Sequence, residues 1–237
     1  MYISLINFTA SNFFKMNKIS CCFLVLIFVA TFGSTTECCI LPELVPVTKD
    51  QERIIKNLKP RTEVLVEGSI FTVSYNEVLQ QPNWIRYDVR SIEKLVDRDG
   101  MVFYEVDTII TSDNEDYYSN PWDRGHLAPA AAFTDSYDNL YATFSFLNCT
   151  LQKDQLNRGE WAELETQIRE WADQLGTLNI EIVLEFNETA TTLLTGATIP
   201  VGYWKNIQFP DDTKRCFYFP NEDTTANWTE YEISCNG

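Results

Sequence analysis

The stretch Pro121–Ala130, PWDRGHLAPA, holds His126, the only histidine in 237 residues, with Asp123 and Arg124 just before it. An imidazole with an ordinary pKa near 6.5 is largely neutral at neutral pH and can take a proton from water. An arginine offers a rigid fork of donors that suits phosphate oxygens. A second set of polar residues, Asn157, Arg158, Glu165 and Arg169, lies downstream. An asparagine carbonyl aided by a carboxylate suits magnesium, which prefers oxygen ligands and keeps most of its waters. Phosphodiester hydrolysis needs a base for water, positive charge on the phosphoryl oxygens and something to stabilise the leaving alkoxide. One histidine, one arginine and one hard metal ion supply all three.

These residues need elements to position them. Between Leu156 and Leu175 the spacing predicts an amphipathic helix ended by Gly176. At 100° per residue, Asn157, Trp161, Leu164, Ile168, Trp171 and Leu175 fall within about 40° of one line. Arg158, Glu165 and Arg169 gather on one flank of that stripe. On the helix alone Asn157 reads as a cap, and Glu165 with Arg169 as a solvated i,i+4 pair. Strands are predicted at Val64–Tyr75, Trp84–Ile92 and Met101–Ile110, where β-branched and aromatic residues concentrate between turn signals. Thr111–Pro121 has turn composition and delivers the chain to the histidine motif as a loop or strand end. Further strands are predicted near Ile180–Phe186, Tyr203–Phe209, Arg215–Phe219 and Tyr231–Cys235. The layout is α+β with strands dominating.

Apolar residues make up 45% of the chain, which is ample for a core. The formal net charge is -16, and a surface of that sign repels phosphate backbones at long range. A nucleic-acid role must therefore rest on a local cationic site. At the N-terminus Lys15 and Lys18 precede the apolar run Cys21–Phe32, and small residues follow it, the order of a cleaved secretory signal. The run is too short for a membrane span, which needs ~20 apolar residues. Residues 1–36 are read as the signal peptide, with Met16 as an alternative start, and 37–67 as an N-terminal arm. Residues 68–237 form the domain. Secretion leaves Cys38, Cys39, Cys149, Cys216 and Cys235, with Cys216–Cys235 the first choice for a disulfide. Sequons at Asn148, Asn187 and Asn227 agree with an extracellular glycoprotein.

Taken together, these blocks resemble the DNA/RNA non-specific endonucleases, whose site is the ββα-metal, or His-Me finger. DRGHLAPAAAF is similar to the family's D-R-G-H-x-A-P signature, and LNRGEWAELE to its metal-binding helix, with Asn157 thirty-one residues after His126. TFSFLNCTLQ resembles T-F-x-x-x-N-x-x-P-Q, with Leu151 where proline is usual. QQPNWIRYDV and IPVGYWKNI resemble two further family segments, all in family order from Gly68 onward. The resemblance implies a central antiparallel β-sheet with a ββα-metal finger. It implies His126 as general base, Arg124 on the scissile phosphate and Asn157 as the direct metal ligand. It also implies Glu165 as holder of metal-bound waters and Arg169 as a neutraliser of the phosphate, while Asp123 and Gly125 shape the turn and orient its neighbours. The implied cofactor is magnesium, with manganese as the alternate, and the implied substrates are DNA and RNA, cleaved to leave a 5′-phosphate. For a further family arginine upstream, Arg86, Arg90 and Arg98 all qualify.

The expectation is a secreted phosphodiester hydrolase that makes no membrane contact after signal cleavage, with a homodimer left open. The rival is a catalytically weak or inactive secreted relative that binds nucleic acid or another ligand. The net charge, the missing T-G-P turn after the helix and the end at Gly237, where longer relatives continue into a helix, favour the rival. The complete set of motif residues favours the enzyme. Asn148 lies in a motif block and is expected to be buried and unglycosylated.

Overall fold

The structure is a computed structural model that describes residues 60–235. The predicted leader, most of the predicted arm, Cys38 and Cys39 lie outside the described residues. Seven strands form one antiparallel sheet: β1 (Val64–Glu67), β2 (Phe71–Asn76), β3 (Gln81–Val89), β6 (Leu178–Glu185), β7 (Gly202–Gln208), β8 (Lys214–Pro220) and β9 (Glu232–Ile233), hydrogen-bonded in that order. A separate two-stranded ribbon joins β4 (Trp122–His126) to β5 (Cys149–Lys153). Among the described residues there are also three α-helices: α1 (Tyr137–Ala142), α2 (Asp154–Arg158) and α3 (Glu160–Leu175).

Strand alternation sets the layers, because successive side chains point to opposite faces. Ile85, Tyr87 and Val89 of β3, Ile180 and Ile182 of β6, and Tyr203 and Ile207 of β7 are buried on the face that packs against α3. From α3 come Trp161, Leu164, Ile168 and Ala172. Full burial of each large apolar side chain contributes about 1.5–3 kcal/mol, which is what holds the helix on the sheet. The opposite face is polar and cross-linked: Arg86 Nε donates to Glu181 (2.8 Å), Asn179 to Asp88 (2.7 Å) and Asn206 to Glu181 (3.2 Å).

Four expectations about elements need correction. The predicted strand Val64–Tyr75 is a hairpin, β1 and β2, turned at Gly68, whose N–H donates to the Phe71 carbonyl (2.9 Å). Met101–Ile110 is not a strand: it makes one isolated bridge, Tyr104 to Ser145. Its apolar residues signalled packing rather than pairing, since Phe103 lies against Phe144 and Phe146 while Val102 is exposed. The last predicted strand shrinks to β9, preceded by a 3-10 turn at Trp228–Tyr231. The predicted helix Leu156–Leu175 is two helices broken at Gly159, so Asn157 stands on α2 and leaves the buried stripe of α3. A β-carbon on Gly159 would lie 2.7 Å from the Gln155 carbonyl oxygen, a contact that requires glycine. Leu175, placed on the buried stripe, is exposed.

Cys216 and Cys235 form a disulfide across a Cα separation of 5.3 Å, tying the chain end to β8. Cys149 is a buried free thiol, pushed up to about 12 by burial, in hydrogen-bond contact with the Tyr117 hydroxyl (3.2 Å). No helix among the described residues is long and apolar enough to cross a membrane.

Candidate active site

The ribbon and α2 bring the two motifs together. In β4 and β5 the register sets Asp123 against Gln152, Gly125 against Thr150 and His126 against Cys149. The chain leaves β5 at Lys153 and enters α2 at once, which returns Asn157 to the beginning of β4. There the Asn157 amide donates to Asp123 Oδ2 (2.9 Å), and Arg158 closes on the same carboxylate through Nε (2.7 Å) and a terminal nitrogen (2.5 Å). Burial would raise the Asp123 carboxyl, but the Arg158 and Asn157 hydrogen bonds and the Arg158 charge outweigh it and hold it below its ordinary value.

Gly125 lies mid-strand rather than in a turn, which corrects the role expected of it. A β-carbon there would come within 2.7 Å of Gln152 Cβ, with the Gln152 amide oxygen closer still, so the close crossing of β5 demands glycine.

His126 sits in an aromatic cage, its ring 4.8 Å from Phe103 and 5.1 Å, edge to face, from Phe144. Its Nε2 is buried without a hydrogen-bond partner. Burial, with the charge of Arg98 in addition, pushes its pKa down to about 3, so the ring is neutral at physiological pH. Arg124 stacks over the Tyr117 ring at 5.1 Å, and its buried Nε has no partner. Sequence reading missed Tyr117, which is set by a capped 3-10 turn at Asn114–Tyr117; the Asp-Tyr-Tyr run in a turn-rich segment was the available signal.

Of the three upstream arginines, Arg98 is the one beside His126. Arg86 pairs with Glu181 on the opposite sheet face, and Arg90 with Asp135 (3.3 Å).

Glu165 and Arg169 lie on α3. Arg169 donates to the Thr166 hydroxyl (2.9 Å). The nearest cation to Glu165 is Lys205 Nζ, at 3.8 Å from Oε1, which itself is buried and lacks a hydrogen-bond partner. Burial raises the Glu165 carboxyl, opposed by the charges of Lys205 and Arg169. Lys205 is fully buried, with Nζ 3.6 Å from the centroid of the Trp161 ring. Burial pushes it down to about 8, against the pull of Glu165. The sequence did signal this lysine: in Tyr-Trp-Lys-Asn-Ile, Tyr203, Lys205 and Ile207 share the inward face.

Asn148 is fully buried, as expected. Its amide donates to the Ala128 and Thr143 carbonyls and its oxygen accepts from the Ala128 N–H, which leaves no room for a glycan. Leu151, where proline is usual, directs its N–H toward Gln81 Oε1 (3.4 Å).

The family model described as DNA/RNA non-specific endonuclease matches residues 55–236. The chain belongs to this family. Among curated relatives, the mitochondrial nuclease EXOG of Danio rerio is 31% identical over 107 residues, 43% of this chain and 31% of that protein. The nuclease of Serratia marcescens is 37% identical over 91 residues, 36% of this chain and 34% of its own length. The nuclease of a Nostoc strain is 27% identical over 156 residues, 63% of this chain and 56% of that protein. The chain thus spans from about a third to a little over half of these relatives. In fold it is similar to a chain in the crystal structure of the EndoG/EndoGI complex, with a TM-score of 0.65 at 19% identity, covering 77% of this chain and 84% of that one.

Proposed function

We propose that the protein is a secreted, magnesium-dependent endonuclease that hydrolyses phosphodiester bonds of DNA and RNA with little sequence preference, leaving a 5′-phosphate. One observation carries the reading. The strand that bears His126 also bears Asp123, whose carboxylate accepts from the amide of Asn157 on α2, so the proposed base and the proposed metal ligand are tied to the same strand.

The residues present fit a hard divalent cation. Among the described residues no group of three or more His, Cys, Asp and Glu is placed to chelate a metal. The available donor is the Asn157 carbonyl oxygen, held in orientation because the amide nitrogen is committed to Asp123. One protein oxygen with water completing the shell suits magnesium, with manganese as the alternate. When bound, the ion would stabilise charge on the leaving alkoxide oxygen. Glu165, whose buried Oε1 lies 3.8 Å from Lys205 Nζ and has no hydrogen-bond partner, would accept hydrogen bonds from the water around the ion.

Neutral His126 takes the proton from the attacking water. Arg124, Arg98 and Arg169 supply positive charge for the phosphate, while Arg158, committed to Asp123, serves orientation. The Cys216–Cys235 disulfide and the exposed Asn187 and Asn227 sequons support an oxidising, extracellular setting.

Nicking of supercoiled plasmid by the purified protein tests the reading. It should proceed with magnesium and stop with a chelator. Absence of cleavage with either magnesium or manganese, on DNA and RNA alike, would overturn it.

A further inference from the structure

Three tyrosine rings form a ladder beside the histidine cage. Tyr104 and Tyr141 lie nearly parallel, with centroids 4.7 Å apart and planes 12° apart, and Tyr137 continues the column at 5.8 Å and 11°. Exposure rises outward, from half-buried Tyr104 to 37% at Tyr141 and 59% at Tyr137. Tyr137 and Tyr141 are four residues apart on α1, which puts them on one face, and Ser136 caps the helix by accepting from the Asn139 N–H (3.2 Å).

The inner end of the ladder is anchored to the cage. The Tyr104 N–H donates to the Phe144 carbonyl (3.0 Å), and the Phe146 N–H donates to the Tyr104 carbonyl (2.9 Å). Phe103, the chain neighbour of Tyr104, and Phe144 are the two rings that hold His126. The Arg98 guanidinium stands over Phe144 at 5.7 Å. An exposed aromatic column therefore begins one residue from the wall of the candidate active site, with a cation at the junction.

An i,i+4 tyrosine pair adds little to a six-residue helix, and an outermost ring with most of its area in water gains little from burial. The parallel stack, open at its outer end, is a geometry that a nucleobase can extend, because every base presents a flat π face. A base inside a duplex is already covered on both faces by its neighbours, so only an unpaired base can join the column.

We propose that Tyr137 and Tyr141, continued inward by Tyr104, form a stacking platform for an unpaired nucleobase of the strand whose phosphate enters beside His126. The proposal rests on the nuclease reading and adds to it a preference for single-stranded or locally unpaired substrate. Helix α1 carries no lysine or arginine and holds the acidic Asp138, so the platform recognises the base rather than the backbone. Its contribution should therefore not depend on salt.

The test is fluorescence anisotropy of the full-length protein in chelator, with a labelled short single strand, the same strand made abasic, and the corresponding duplex. Wild type should bind the base-bearing strand about tenfold more tightly than the abasic one. Tyr137→Ala/Tyr141→Ala should lose that preference while keeping its affinity for duplex and its salt slope, and Tyr137→Phe should retain the preference. Equal wild-type affinity for intact and abasic strands overturns the platform without reference to any variant. So does a double variant that keeps the preference, or one that weakens duplex and single strand alike. If wild type nicks plasmid but shows no base preference, only the platform falls. If wild type neither binds nor cleaves any nucleic acid, the nuclease reading fails and the platform goes with it.

Discussion

Asp123 accepts from the amide of Asn157 at 2.9 Å and from two guanidinium nitrogens of Arg158 at 2.7 and 2.5 Å, so its carboxylate sets the orientation of the proposed metal ligand. Partners of this kind fix a ligand's geometry and raise affinity by reducing the freedom it loses on binding.

Asp123→Ala should therefore raise the magnesium concentration needed for half-maximal nicking by about 10- to 100-fold, the range for loss of such a partner. Asn157→Ala should raise it at least as far, since the proposed direct ligand would be gone. Magnesium titrations of initial rate decide this; an unchanged midpoint in both variants would place the metal elsewhere.

The pH behaviour of His126 gives a second expectation. Its folded pKa is about 3 and its ordinary value 6.5. The rate should therefore show no acid inflection near 6.5 from loss of the base. The unfolded chain takes up this proton below about 6.5 while the folded chain stays neutral, so the group favours folding above that pH. Its contribution declines as pH falls toward 3, by up to about 1.4 kcal/mol per pH unit. Urea denaturation at pH 7 and pH 5 should show a smaller pH-dependent loss in His126→Ala than in wild type. An equal loss in both would contradict the buried, neutral ring.

Gly125→Ala tests the close crossing of the ribbon. A β-carbon 2.7 Å from Gln152 Cβ cannot be accommodated without moving β5, and overpacking of this kind costs about 1–3 kcal/mol. Thermal melts should show that loss together with a fall in activity. Wild-type stability would mean that the strands separate freely.

Salt dependence tests the size of the cationic site. Arg158 is taken by Asp123, leaving Arg98, Arg124 and Arg169, against a net charge of -16. At about -0.9 per phosphate contact, the log-log slope for duplex DNA binding by His126→Ala should be about -2 to -3. A slope for six or more contacts would reveal a broad basic surface.

Much of the sheet was legible from the sequence because β3, β6, β7 and β8 alternate apolar and polar residues, and one face is buried. Met101–Ile110 misled because β-branched and aromatic residues signal a need for packing, which a loop met here through Phe103. The helix wheel carried Asn157 onto α3 because periodicity cannot register the break at Gly159, which depends on contact with the Gln155 carbonyl. The motif residues were found through the resemblance to the family's signatures, yet the links between them were hidden. The joint claim of Asn157 and Arg158 on Asp123, the stacking of Arg124 on Tyr117, and the choice of Arg98 over Arg86 and Arg90 all depend on which strands face each other. Alternation put Lys205 on the inward face with Tyr203 and Ile207, but inward-facing lysines are rare, so the pattern by itself did not mark it as a site residue.

The central claim is that neutral His126 is the general base. Single-turnover cleavage of a labelled strand by His126→Ala at saturating magnesium, alongside its affinity for the same strand, tests it most directly. The rate should fall at least ~100-fold with binding retained, the lower end of what a positioned base contributes. A folded variant that cleaves within a few-fold of wild type would contradict it.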